Sequence, residues 1–145
     1  MIAKQDRGIV TTTLTVTNLV DAILAERGFI PSEEVRSLTL ENVLVDTSAT
    51  RLCLPASMIA ELELPLAGEI DVKTAIGLSK ARLFKLARLT LLGRQGEFTC
   101  IELPGSEDPL LGVIPLEELG LQPDVIQQKL VLLPDQGSNT YHLAY

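Results

Sequence analysis

Residues 43–50, with the sequence VLVDTSAT, combine the residue types that could carry out chemistry. Three apolar residues lead directly into Asp46, and small or hydroxyl residues follow it. A carboxylate at the inner end of a buried strand is costly unless it is hydrogen-bonded or shares a proton. The placement therefore makes Asp46 a candidate acid or base, and a plain Asx turn after a strand is the simpler alternative.

Hydrolysis of a peptide bond by carboxylates alone requires two of them, about 3 Å apart and sharing one proton. Two carboxyl groups at that distance cannot both be ionised, because their negative charges repel each other. A second aspartate with the same flanks is absent, because Asp135 follows Pro134 in a polar turn and Asp71 and Asp108 have different neighbours. A catalytic Asp46 therefore predicts a homodimer whose twofold axis brings two copies of Asp46 together.

These residues give the chain a family resemblance, which covers roughly residues 8–145. It resembles the retropepsin-like, single-domain aspartic proteases of the bacterial type. That family has an Asp-Thr/Ser-Gly-Ala loop, a second strand, a flap hairpin and an apolar-apolar-Gly motif before a short helix. The corresponding segments here are residues 46–49 (DTSA), 74–78 (TAIGL), 110–112 (LLG) and 115–121 (PLEELGL).

The resemblance implies a role for each residue of the loop. Asp46 would be the carboxylate that shares a proton with its symmetry copy. Thr47 would hydrogen-bond across the dimer axis, and the amides of Ser48 and Ala49 would donate to the carboxylate. The implied activity is that of a homodimeric aspartic endopeptidase that cleaves extended peptide or protein substrates.

The resemblance also assigns the flap and the support of the loop. Thr74, Ala75, Ile76 and Gly77 would belong to the flap, which closes over a peptide bound as an added strand. The motif Leu110-Leu111-Gly112 would support the active site, since Gly112 allows the neighbouring strand to approach the loop closely. In such dimers the chain ends often interlace in an interface sheet, a role implied for Tyr141, Leu143 and Tyr145.

Ser48 departs from the family pattern, which has glycine at this position. Glycine provides backbone freedom and leaves space for substrate beside the carboxylate. A serine hydroxyl could bond Asp46 or narrow the cleft. The alternative function is therefore a catalytically impaired, retropepsin-fold module that binds peptides or dimerises.

Composition and charge argue against several other partners. The formal net charge of −7 disfavours nucleic acid and anionic membranes as the main partner. No apolar run approaches the ~20 residues that span a bilayer, and the polar residues 1–7 predict a cytoplasmic location. Residues 93–96 (GRQG) match a nucleic-acid GxxG clamp by letters, but a hairpin turn between strands is the favoured interpretation.

Metal, cofactor and thiol chemistry are also not expected. The single histidine, His142, lies near the end of the sequence, which disfavours a His-centred metal cluster and a Ser-His or Cys-His triad. No dinucleotide or phosphate-binding glycine motif is present, so no cofactor is predicted. Cys53 and Cys100 have apolar, strand-like surroundings and are expected to be reduced core thiols. The adjacent Glu33 and Glu34 are interpreted as a solvated turn.

Short strands dominate the expected secondary structure. They are predicted at residues 9–17, 35–45, 52–54, 70–81, 98–103, 110–114, 125–133 and 140–145. Helix signals follow Asn18 and cover residues 56–62 and 115–120. Residues 81–92 are ambiguous, because their leucines recur at the helical spacing i, i+3.

This pattern predicts an all-β fold in a single domain, residues 1–145. With the resemblance, the expectation becomes a closed acid-protease β-barrel with one or two short helices, assembled as a twofold-symmetric homodimer.

Overall fold

Within residues 8–104 and 108–134, which the computed structural model describes, the chain forms nine strands and three α-helices. The strands are β1 (Thr11–Asn18), β2 (Ser37–Val45), β3 (Leu52–Pro55), β4 (Leu66–Thr74), β5 (Gly77–Leu91), β6 (Arg94–Leu103), β7 (Leu110–Leu111), β8 (Leu121–Asp124) and β9 (Lys129–Leu132). The helices are α1 (Leu19–Glu26), α2 (Ala56–Leu62) and α3 (Val113–Leu119). The chain is therefore mostly β, as predicted, with three short helices in the described part rather than one or two.

Seven of the strands form one sheet in the order β1-β2-β7-β3-β6-β5-β4. Strand β1 also pairs with β5, so six strands form a ring of pairings and β4 extends outward from β5. The pairs β2–β7 and β3–β6 are parallel, and the other pairs in this sheet are antiparallel. Strands β8 and β9 form a separate antiparallel pair.

Strand β1 shows why the sequence favours this arrangement. Its period-two pattern directs Leu14 and Val16 into the core, where each is at most 1% exposed. Two of the threonines that alternate with them form hydroxyl pairs with β2 on the other face, Thr15 with Thr39 and Thr17 with Ser37, both at 3.0 Å. The predicted strand at residues 9–17 is therefore confirmed, and its apolar face is part of a continuous core inside the ring.

Residues 81–91 of the ambiguous segment are strand, as part of β5, and Leu92 lies in the turn that follows. Phe84 pairs with Cys100 and Ala87 with Phe98, so β5 advances three residues where β6 advances two. The extra residue is a β-bulge, at which Leu86 adopts a positive φ of 62°. The bulge shifts the phase of the buried side chains, which advance by three residues from Phe84 to Ala87 and then by two to Leu89.

The predicted turn at residues 93–96 lies elsewhere. Leu92 and Gly93 form a two-residue hairpin turn, both with positive φ, and Leu91 pairs with Arg94. Gly96 instead lies inside β6, where a Cβ atom would be 2.9 Å from the Phe98 ring. Glycine is needed at position 96 because a side chain would meet the Phe98 ring, and not because the chain turns there.

Two further strand predictions were wrong in their bounds. The strand expected at residues 110–114 ends at Leu111, and α3 starts at Val113. The strand expected at residues 125–133 is shorter, Lys129–Leu132, and it pairs with β8, which was not predicted because Pro123 is a poor strand residue. The Asp124 carboxylate accepts hydrogen bonds from the amides of Ile126 and Gln127 and so stabilises the turn between β8 and β9. The strand predicted at residues 140–145 lies outside the described residues.

A buried polar network fastens α1 to the rest of the structure. The Asn18 side chain accepts the Asp21 amide at 3.0 Å, as its predicted capping role requires, and donates to the carbonyls of Leu62 and Glu63. The Asp21 carboxylate accepts three N–H groups of Arg36, at 2.7 to 3.0 Å, and Arg36 also contacts Glu63 at 2.7 Å. The network thus joins α1, the start of β2 and the end of α2.

None of the helices in the described part of the chain has the length and apolar character that crossing a bilayer requires.

The pH dependence of stability should reflect this network. Hydrogen bonds from Arg36 lower the pKa of Asp21 below its ordinary value of 3.8. The contribution of Asp21 to stability is therefore complete above the unfolded-state pKa and is lost as the pH falls through the lower, folded-state pKa. We expect Asp21→Asn to lower the urea midpoint at pH 7, with a smaller difference from wild type at pH 2 to 3.

The matched control is Asp71→Asn, because Asp71 forms an ion pair with Lys80 in which both side chains are more than 60% exposed. This control should change the midpoint little. Equal losses in the two variants, or a loss in Asp21→Asn that does not depend on pH, would contradict the assignment.

Candidate active site

Asp46 lies at the point where β2 leaves the core. Val43 and Val45 before it are buried, and the Asp46 amide donates to the Leu111 carbonyl at 3.0 Å. The chain then turns, and the Ala49 amide donates to the Asp46 carbonyl at 3.0 Å. The half-buried carboxylate is therefore held at the edge of the core by a strand on one side and a tight turn on the other.

Ser48 engages the Asp46 carboxylate twice. Its amide donates to Oδ1 of Asp46 at 3.0 Å, and its hydroxyl donates to the same oxygen at 2.5 Å. Ser48 is not among the residues with a positive φ, so the loop accommodates serine without left-handed strain. Thr47 and Ser48 are both exposed, whereas Ala49 is half-buried.

The loop rests on the backbone around Gly112. The amides of Val113 and Ile114 donate to the carbonyls of Ala49 and Thr50, each at 2.9 Å. A Cβ atom on Gly112 would lie 2.5 to 2.7 Å from backbone atoms of Ala49 and Arg51, closer than real Cβ contacts. Since Gly112 has a φ of −92°, the glycine is required here for space and not for an unusual conformation.

Leu110 and Leu111 place that support. Strand β7 inserts between β2 and β3, so that Leu111 pairs with Val45 and Leu110 pairs with both Leu44 and Cys53. Leu111 is fully buried. The amides of Val113 and Ile114 donate to the Asp46 loop and not to a neighbouring strand. This is the physical reason why the strand predicted at residues 110–114 ends early.

A cleft of about 660 Å³ lies between the Asp46 loop and the β4–β5 hairpin. The loop contributes Ser48, Ala49 and Thr50, and Cys53 on β3 is also part of the lining. The remaining lining residues are Glu69, Val72, Lys73, Thr74, Ser79, Lys80, Ala81, Arg82, Ile101, Glu102, Leu103 and Pro104. The cleft is bounded by residues of the strands β3, β4, β5 and β6.

The thiol at this cleft is unreactive. Burial, with a smaller contribution from the Asp46 charge, raises the pKa of Cys53 to about 11. Burial also raises the pKa of Cys100, to about 12. Both cysteines are free and buried, and they remain protonated at neutral pH, so neither is a nucleophile.

Only part of the predicted flap segment faces the cleft. Thr74 is in the lining, and its hydroxyl donates to the Gly77 carbonyl at 2.8 Å across the turn. Ala75, Ile76 and Gly77 are at the tip of the hairpin, outside the cleft lining, and Ile76 is 99% exposed. The β4–β5 hairpin thus extends past the cleft with an uncovered apolar residue at its end.

Sequence reasoning missed the charged residues of the cleft. Arg82 binds Glu102 through two hydrogen bonds of 2.8 and 2.7 Å. This pair raises the pKa of Arg82, and the guanidinium also lies 5.2 Å from the centre of the Phe84 ring. Opposite charges in the ambiguous segment 81–92 and in the predicted strand 98–103 were the available signal, but they identify a pair only when the register of β5 and β6 is known.

Asp46 has no acidic partner in the described part of the chain. Among residues 8–104 and 108–134, no second carboxyl group hydrogen-bonds to it, and no cation forms an ion pair with it. The same residues contain no cluster of three or more His, Cys, Asp or Glu side chains that could hold a metal ion. The carboxylate is thus bonded by its own loop and otherwise available to a group from outside.

Comparison with known proteins gives the class. A family model described as aspartyl protease matches residues 33–114, which include Asp46, the β4–β5 hairpin and Gly112. The chain belongs to the aspartyl protease family, and the retropepsin-like resemblance seen in the sequence is confirmed. No curated protein matches the chain.

The support at Gly112 leads to a stability prediction. We expect Gly112→Ala to destabilise the chain by about 3 kcal/mol, because the new methyl group meets rigid backbone and not a movable side chain. The control is Gly28→Ala, which has open space but a φ of +82° and should cost about 1 kcal/mol. Urea unfolding of both variants checks the order. A smaller loss at Gly112 than at Gly28 would contradict the close approach.

Proposed function

We propose that this chain is a homodimeric aspartic endopeptidase in which water is activated between two Asp46 carboxylates, one from each copy. The observation that carries the proposal is the Asp46 carboxylate, which its own loop holds beside a 660 Å³ cleft, with no second acid bonded to it among the described residues. Since acid-only hydrolysis needs two carboxyl groups, the second one comes from a symmetry-related copy. The ring of pairings would then be the closed barrel of each protomer.

The reaction would use one shared proton. The ionised Asp46 removes a proton from water as its oxygen attacks the carbonyl carbon, and the protonated Asp46 gives its proton to the carbonyl oxygen. The resulting tetrahedral diol then collapses. The carboxyl group that took up the water proton passes it to the leaving nitrogen, the C–N bond breaks, and a diol proton restores the shared state.

The other residues would position the substrate and the acids. In this proposal Thr47 hydrogen-bonds across the dimer axis, which its exposed position permits. The β4–β5 hairpin, with Thr74 at the cleft and Ala75, Ile76 and Gly77 at its tip, closes over an extended peptide. The peptide is bound as an added strand, and the half-buried Val72 and Ile101 in the cleft favour apolar side chains.

One observation favours a second function. The Ser48 hydroxyl donates to Oδ1 of Asp46, so one oxygen of the carboxylate that must take a proton from water already accepts a hydrogen bond. If that bond persists in the dimer, the chain binds peptides without cleaving them. It is then a peptide-binding or dimerisation module of the same fold.

The proposed activity is tested by comparing wild type with Asp46→Asn on a diverse peptide library between pH 4 and 6. We expect cleavage to fall by about a thousandfold or more in Asp46→Asn, because general acid–base catalysis supplies roughly 10²–10⁴ in rate for each group. The control Glu118→Gln changes an exposed acid on α3 and should cleave like wild type. The wild-type pH profile should be bell-shaped, since one carboxyl group must be protonated and the other ionised.

The same library separates the two functions. If the chain is a peptidase that tolerates Ser48, both the wild-type protein and the Ser48→Gly variant cleave peptides. The binding module cleaves nothing as wild type and gains cleavage in Ser48→Gly. Turnover that is unchanged in Asp46→Asn, or that is flat with pH, would eliminate the proposed catalytic role of Asp46.

A further inference from the structure

A second cavity borders the cleft on the side of α2. This α2 groove has a volume of about 510 Å³ and is floored by Ile59, Leu64 and Phe84, each at most 7% exposed. On α2, the half-buried Ala56 and the exposed Ala60 line its wall, and their short side chains leave the space above the floor open. The groove is thus an apolar recess at the surface, outside the residues already assigned to chemistry.

The two cavities share a boundary. Arg82 and Glu102 line both the cleft and the α2 groove. Their two hydrogen bonds hold this boundary in place, and the Arg82 guanidinium lies over the ring of Phe84 in the groove floor. A chain that occupies the cleft and continues past Arg82 therefore passes directly into the groove.

The charges around the groove indicate what it accepts. Arg82 is paired with Glu102, and Glu63, the remaining charged residue of the lining, is paired with Arg36 at 2.7 Å. Because each of these charges already has a partner, a charged side chain entering the groove would gain little and would lose hydration. An apolar side chain would instead cover the floor and lose only its contact with water.

We propose that the α2 groove is a distal subsite that binds an apolar side chain of the substrate, on the segment flanking the residues held in the cleft. This inference rests on the proposed function, since it takes a peptide as the occupant of the cleft. It makes the chain selective for long substrates with an apolar residue several positions from the scissile bond. By the twofold symmetry of the proposed dimer, each end of the peptide meets one groove.

The test measures binding in Asp46→Asn, so that it does not depend on turnover. The probes are fluorescent decapeptides with one central sequence, the best one cleaved in the library or otherwise the tightest binder. Their flanking residues are either all alanine or carry one leucine at successive positions. We expect a leucine at one flanking position to improve the dissociation constant about tenfold over alanine.

The groove is then blocked by adding Ala60→Trp, an exposed site on which a large side chain can fold over the recess. The leucine advantage should fall to about one in this variant. The control is Glu61→Trp on an adjacent face of α2, an exposed residue outside the groove lining, which should keep the tenfold ratio. Because each variant is scored by its own leucine-to-alanine ratio, the lost charge of Glu61 cancels, and matched thermal midpoints confirm folding.

The outcomes separate this inference from the proposed function. A leucine advantage that survives Ala60→Trp, or no advantage at any position, overturns the subsite even if the wild type cleaves peptides. Absence of cleavage with a groove-dependent leucine advantage overturns the peptidase and supports the subsite. Failure of every decapeptide to bind overturns the subsite as well. The subsite is also overturned if Ala60→Trp changes the sedimentation coefficient but not the leucine advantage, because the groove would then be a contact between copies.

Discussion

The close approach of two backbone segments, the Asp46 loop and the turn around Gly112, is the constraint on which the site depends. The carbonyls of Ala49 and Thr50 accept the first amides of α3, and no side chain at residue 112 would fit between the segments. These bonds use N–H groups at a helix start that would otherwise lack partners. One contact therefore satisfies the helix terminus, ends β7 and fixes the direction of the loop that carries the carboxylate.

The electrostatics of the cleft follow from where its charges are paired. Arg82 and Lys80, which line the cleft, are each bound to an acid other than Asp46. Within the described ranges no cation stabilises the Asp46 charge directly, and its hydrogen bonds come from Ser48. A carboxylate neutralised by arginine would be a poor base, whereas one held only by neutral donors can share a proton with a second acid.

Local signals in the sequence predicted a large part of this arrangement. Asn18 caps α1 as expected, Ala56–Leu62 is the predicted helix, and the apolar lead-in to Asp46 is the strand β2. The cap, the helix and the strand each depend on interactions with residues a few positions away, so local sequence is enough to predict them. The family was recognisable for the same reason, because its loop and glycine motifs are short and ordered.

What could not be predicted depends on register between distant strands. The bulge at Leu86 lies where β5 changes partner, from β4 up to Phe84 to β1 from Ala87 onward, and no residue near Leu86 predicts it. The pairing of Arg82 with Glu102 requires that bulge to be counted correctly, since a one-residue slip moves every side chain to the other face. The α2 groove, which borders on that ion pair, was invisible for the same reason.

The central claim, that one active site needs Asp46 from two copies, is tested most directly by a subunit-mixing titration. Wild type and Asp46→Asn are unfolded together in varying proportions, refolded at constant total concentration and assayed for peptide cleavage. If both carboxylates act in one site, activity follows the square of the wild-type fraction, because only wild-type pairs are active. Activity proportional to the wild-type fraction itself would show that each chain works alone and would contradict the account.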